Sequence, residues 1–146
     1  MRTDQYSMMK SVVAATLLLA CGSAFGQYFT GGGGDDDWTN PDNWGGELPT
    51  TNTNPNINGS DIVVLYAGDT GVGKILYAAG TGGGATDFTV QGTLMTTRGQ
   101  AQPAADGSSS LVTIDGGTWT VTSYSYWQND ATLVVTNGGT FNVNDK

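Results

Sequence analysis

The chain has no histidine and one cysteine, Cys21, in 146 residues. Without histidine or a cysteine in the body of the chain, Ser–His and Cys–His nucleophile pairs have nothing to build on. One cysteine cannot close a disulfide within the chain, so the core must hold by packing alone. Positive charge is also scarce, with 5 Lys and Arg against 13 Asp and Glu, a formal net charge of −8 at pH 7. Such a surface repels nucleic acid and anionic lipid, which sets both aside as partners. After residue 26, no segment keeps the 3.6-residue apolar period of a helix.

What the first residues do hold is a leader. "MRTDQYSMMK" carries Arg2 and Lys10, "SVVAATLLLA" is apolar, and "CGSAFGQ" supplies small residues. That order marks residues 1–26 as a secretory signal peptide, with an apolar run too short to anchor in a bilayer. Cleavage after Gly26 follows the small Ala24 and Gly26 and leaves Gln27 as the mature terminus. The rival is a lipoprotein, since "LLAC" resembles a lipobox in which Cys21 is lipidated. The exported chain keeps three basic and twelve acidic residues, a net charge of −9.

Glycine is plentiful, at 23 residues, and it punctuates short runs of Val, Ile, Thr and aromatic side chains. That is strand-and-turn chemistry and predicts an all-β protein. "LVTIDGGTWTV", residues 111–121, returns without a gap as "LVVTNGGTFNV", residues 133–143. A weaker copy, "FTVQGTLMT", begins at Phe88 and lacks one glycine. About 22 residues hold roughly three short strands and their turns, which is one coil of a parallel β-helix (right-handed by expectation). Stacked coils place equivalent residues over one another. Leu111 should lie under Leu133, Val121 under Val143, and Leu94, Trp119 and Phe141 in one apolar ladder. The paired glycines fall at corners that need positive φ. The alternative is a β-sandwich of hairpins turning at Asp115-Gly116 and Asn137-Gly138, but hairpins recur every 8–12 residues. Residues 27–60 are polar and loop-like yet contain Trp38 and Trp44, whose bodies favour burial; they read as a folded N-terminal cap. The solenoid repeats then occupy residues 61–146, with "RGQAQPAADGSSS" as a long loop.

"WTNPDNWGGELPTTNTN" followed by "SDIVVLYAG" resembles the start of bacterial secreted proteins with autotransporter-associated β-strand repeats. It is also similar to the planctomycete and verrucomicrobial repeat proteins that carry a PEP-CTERM sorting tail. Trp38, Asn43, Trp44, Pro49, Asp61 and Val63 carry the likeness, with Gly-Gly-Thr at 116–118 and 138–140. The resemblance implies a parallel β-helix passenger displayed outside the cell. No sorting tail follows, and a strand runs almost to Lys146. The reading therefore expects an uncovered coil edge, closed by further β-helix repeats or by end-to-end, salt-promoted self-association.

Candidate chemistry is sparse. "GDTGVGKI" fits G-x-x-x-x-G-K, but Ile75 stands where a Mg²⁺-binding Ser or Thr belongs, so it reads as a turn between strands. "GGGGDDDWT" fits one calcium nonapeptide, yet that site needs ions sandwiched between successive copies. Asp35, Asp36, Asp37 and Asp42 are thus a weak Ca²⁺ candidate beside the plainer reading of a solvated acidic loop. Arg98 falls in the expected long loop, without the calcium cluster that β-helix lyases pair with a base. Asp115 returns as Asn137, a change that a turn tolerates and a catalytic acid does not. Tyr124, Tyr126 and Trp127 could stack on sugar rings from a flat wall, or could be core. The sequence therefore predicts a non-enzymatic structural or adhesive surface module without a cofactor. A β-helix that binds or cleaves extracellular polysaccharide is the alternative.

Overall fold

A computed structural model of the chain describes residues 26–59, 61–104 and 106–144. Residues 1–25 of the expected leader, Cys21 among them, and Lys146 lie outside the described residues; of the leader only Gly26, the expected cleavage residue, is described, as the first residue of β1. The elements are β1 (Gly26–Tyr28), a 3-10 turn (Pro41–Trp44), β2 (Asn54–Asn58), β3 (Ile62–Leu65), β4 (Thr70–Ala79), β5 (Ala85–Val90), β6 (Thr93–Ala101), β7 (Ser109–Asp115), β8 (Thr118–Val121), β9 (Ser125–Trp127), β10 (Ala131–Thr136) and β11 (Thr140–Val143).

Every pairing among these strands is parallel. A parallel neighbour requires a crossover, so the hairpins of a β-sandwich are excluded and the chain is a β-solenoid. One sheet runs β10-β7-β5-β3, and the other runs β1-β2-β4-β6-β8-β11 with β9 also on β6. The second sheet folds into two walls. In β4 both Lys74 and Ile75 turn outward, and in β6 both Thr97 and Arg98 do, interrupting the in-out alternation. β8 continues the wall before that bend and β9 the wall after it. Each coil thus has three faces.

Stacking is visible as columns. Val63, Phe88, Val112 and Leu133 form one and Leu65, Val90, Ile114 and Val135 another. Gly71, Leu94, Trp119 and Phe141 form a third. The Leu94–Trp119–Phe141 ladder is therefore real, as is Val121 under Val143. Thr70, Thr93, Thr118 and Thr140 line up just outside it at the head of their face.

Three expectations fail. Leu133 lies on Val112 and not on Leu111, so the last two coils are offset by 21 residues on this face rather than 22, while Phe88 stands on Val112 as the alignment of the weaker copy expects. Side chains alternate with period two, and only the shifted register turns both Leu133 and Val135 inward. The slack sits at the corner, where Thr136 and Thr140 are separated by one residue more than Asp115 and Thr118. The second failure is Arg98, which stands in β6 because residues 98–101 continue that strand; the long loop begins only at Gln102. The third is "GDTGVGKI": only Gly68 and Asp69 form the turn, while Thr70 onward is β4 with Gly71 and Gly73 facing the interior.

At the N-terminal end of the solenoid Phe29, Trp38 and Trp44 form an aromatic plug over the core. Trp38 and Trp44 are both buried and meet edge to face at 4.8 Å between ring centroids. Trp38 stacks on Phe88 at 5.4 Å, and Phe29 meets Trp44 at 5.2 Å. The segment bearing Trp38 pairs with β3: the Trp38 N–H donates to Val64 O, and the Val64 N–H donates to Asp36 O. Gly71 has no side chain because a Cβ there would sit 3.0 Å from both Trp38 Nε1 and Leu94 Cδ1. β2 and β1 extend the stack on this side, so the sheet starts before Asp61.

Candidate functional site

Two regions bear the side chains that the sequence singles out. The first is the acidic loop on the plug. Asn40 caps the 3-10 turn by accepting the Asp42 N–H, and Gly45 leaves it at φ 76°. The hub is Asn43, fully buried. Its Oδ1 accepts the Gly33 N–H at 2.8 Å, and its Nδ2 donates to Asp35 Oδ1 at 2.6 Å and to Asp37 O at 2.9 Å. Asn40 Nδ2 also donates to Asp35, at 2.9 Å. Asp37 accepts both the backbone N–H and the hydroxyl of Thr39. Asp36 accepts the Tyr66 hydroxyl at 2.8 Å, tying the loop to a coil corner. Asp42 is exposed on the outside of the turn. The Asp35, Asp36 and Asp37 side chains thus accept from different donors, and among the described residues no group of three or more His, Cys, Asp or Glu is placed to hold a metal.

These bonds set the ionisation of the loop. Side-chain hydrogen bonds from Asn40, then Asn43, hold the Asp35 carboxyl below its ordinary 3.8. The hydrogen bond to Asp36 pushes the Tyr66 phenol above its ordinary 10.0. A depressed carboxyl stabilises the fold fully above its unfolded value, and the contribution drains as pH falls through the lower folded value. Asn43→Ala should therefore move the Asp35 titration, read by carboxyl-carbon NMR, up toward 3.8. It also strands the Gly33 N–H and the Asp37 carbonyl, at a cost of ~1–3 kcal/mol in thermal unfolding.

The second region is the outer wall at β9. Tyr124 and Tyr126 are exposed (40% and 41%), whereas Trp127 turns inward and packs on Trp119 and Phe141 at 6.2 and 6.3 Å. The Arg98 guanidinium lies 4.6 Å from the Tyr124 ring centroid, a cation–π contact between coils. Tyr126 Oη accepts a hydrogen bond from Gln128 Nε2. The wall can offer a ligand two phenol rings and a cation, while Trp127 belongs to the interior. Asn43 and Arg98 are the residues that sequence reasoning passed over as site builders. Asn43 had one signal, its place in the W…NW pattern. Arg98 had none, since its contact depends on coil register.

A separate cleft of about 640 Å³ opens beside the plug and is lined in part by Gln27, Tyr28, Trp44, Glu47, Leu48 and Thr53. Among the described residues no helix is long and apolar enough to cross a membrane. Comparison with protein-family models, with curated proteins and with solved structures finds no match to this chain.

Proposed function

We propose that this chain is a non-enzymatic β-solenoid module, exported and displayed as a structural or adhesive surface, the N-terminal part of a larger passenger. One observation carries the reading: the carboxylates of Asp35, Asp36, Asp37, Asp61, Asp106 and Asp115 accept hydrogen bonds that build the plug and the coils. Asp35, Asp36 and Asp37 knit the plug, Asp106 accepts the N–H groups of Gly82 and Ser108, and Asp115 accepts from Gln91 and from Asn137 Nδ2 at 2.5 Å. A carboxylate held ionised as an acceptor, like Asp35, is not a proton donor for glycoside cleavage. The resemblance to autotransporter-associated and PEP-CTERM repeat proteins supports export and surface display. No cofactor is part of this reading.

The exposed Tyr124 and Tyr126 beside Arg98 favour a second reading, a wall that binds polysaccharide. A glycan array and a reducing-sugar assay separate the readings. The structural module should release no reducing ends from any polysaccharide, and turnover by the wild type would overturn it. Glycan binding lost in Tyr124→Ala and Tyr126→Ala, without turnover, would establish the wall as a lectin surface.

A further inference from the structure

The parallel register stacks five outward-facing residues in one column on the wall that holds β9. Tyr28 of β1 lies on Asn56 of β2, Asn56 on Tyr77 of β4, Tyr77 on Gln100 of β6, and Gln100 on Tyr126 of β9. Their chain neighbours Phe29, Ile57, Leu76 and Ala101 are buried, and Trp127 packs on the core, so the five point outward. Tyr28 is 56% exposed and Tyr126 is exposed too, while the three between them are half-buried. Rungs stand ~4.8 Å apart, so the tyrosine positions recur about every 10 Å over roughly 20 Å. The amides between them both donate and accept hydrogen bonds.

The wall is also free of negative charge. β1, β2, β4, β6 and β9 contain no Asp or Glu, although the chain has 13. At its first rung the column adjoins the cleft of about 640 Å³, where Gln27, Thr30, Glu47 and Thr53 add groups that can bond hydroxyls.

We propose that this column binds one extended, neutral, β-1,4-linked polysaccharide chain lying along the solenoid axis. The proposal rests on the second reading above, a polysaccharide-binding wall, and names its ligand class and its extent. The apolar face of a sugar stacks on a phenol ring. Successive sugars of an extended β-1,4-linked chain are flipped, so like faces recur at every second sugar, close to the two-rung spacing. Alternate sugars then sit on Tyr28, Tyr77 and Tyr126, and those between offer their hydroxyls to Asn56 and Gln100. Charge selects a neutral chain. The net charge of −8 repels a polyanion, and the column holds no cation to offset it, since Arg98 stands outside it against Tyr124. The strand ladder fixes the side chains' spacing before the ligand arrives, so little ordering is lost on binding. A side wall stays open whatever stacks on either end of the solenoid.

Isothermal titration of the full chain with cello- and manno-oligosaccharides, two soluble neutral series, tests the proposal. In at least one series, affinity should rise about tenfold or more from disaccharide to hexasaccharide, as contact grows from one ring to several. It should not change as salt is raised. Tyr77→Ala should weaken hexasaccharide binding about tenfold, the effect of losing one aromatic anchor. Tyr77→Phe should restore it, because the ring remains. Tyr28→Ala should weaken binding likewise, whereas Ile62→Ala, on another face, should leave it unchanged. No binding in either series, or binding only of polygalacturonate that salt abolishes, would overturn the proposal. Binding lost in Tyr126→Ala but indifferent to Tyr28→Ala and Tyr77→Ala would overturn the column and leave the smaller wall at β9. Cleavage of the hexasaccharide by the wild type would instead overturn the non-enzymatic reading and leave the column standing.

Discussion

Trp119→Ala should destabilise the protein by ~3–5 kcal/mol, the range for truncating a fully buried large aromatic side chain. The ring lies in the middle of the stack and is 1% exposed. It is in contact with Phe141 at 5.1 Å between centroids, and its Nε1 donates to the buried Thr96 hydroxyl at 3.0 Å. Its space is kept open by Gly99, where a Cβ would fall 2.5 Å from Trp119 Cζ2. Alanine would leave a cavity between two rigid coils that cannot collapse, because strand spacing is fixed by the ladder hydrogen bonds. Trp119→Leu should recover part of the loss, since Leu94 fills the same column one coil below. Urea unfolding followed by far-ultraviolet circular dichroism measures both. A Trp119→Ala midpoint equal to wild type would place the ring outside the core and refute the column.

Neighbouring glycines should respond in opposite ways to the same substitution. A Cβ on Gly117 would lie 2.6 Å from the carbonyl oxygens of Gly92 and Val90, all backbone of the coil below. Nothing flexible can give way, and prising the coils apart would break the hydrogen bond from the Thr118 N–H to Gly92 O. Gly117→Asn is expected to cost about 3 kcal/mol, the upper part of the usual overpacking range. Gly116, one residue earlier, has φ 74° and meets only Asn137 O, at 3.5 Å. Asparagine tolerates that conformation, as Asn137 itself does at φ 50°. Gly116→Asn should therefore cost no more than about 1 kcal/mol. Thermal melts of the two variants decide the matter, and equal losses would show that positive φ, not close approach, governs this corner.

Much of this architecture is legible in the chain because stacking writes itself as repetition. The Gly-Gly-Thr copies marked the corners, and Leu94, Trp119 and Phe141 marked one column. The register of the last coil on the first face was not legible. A gapless alignment matched Leu111 with Leu133, but a strand senses which side is wet, and alternation outweighed identity. The bend at Lys74–Ile75 was hidden too, since two consecutive outward residues look like any interruption of a strand. At the candidate wall, alternation along the chain separates Tyr124 and Tyr126 from Trp127. Arg98 could not be added to it, because its partner lies 26 positions away and reaches it only through coil stacking. The plug was half legible. Two tryptophans among glycines signal burial, but the role of Asn43 depends on three partners brought together only by the folded loop.

The plugged end has a consequence for how the chain reaches its native state. Each coil closes a loop of more than twenty residues, and that entropy is lost before any contact within the coil can offset it. A coil forming alone has no surface to condense upon. Phe29, Trp38 and Trp44, by contrast, lie within sixteen positions of one another and can cluster early. Once joined to β3, they present a finished apolar floor and a row of free carbonyls. Each later coil then needs to find only one neighbour, and that neighbour is already in place. Domains emerge from the ribosome N-terminus first. The plug is therefore placed to serve as a template, and the expected order of assembly is the order of synthesis.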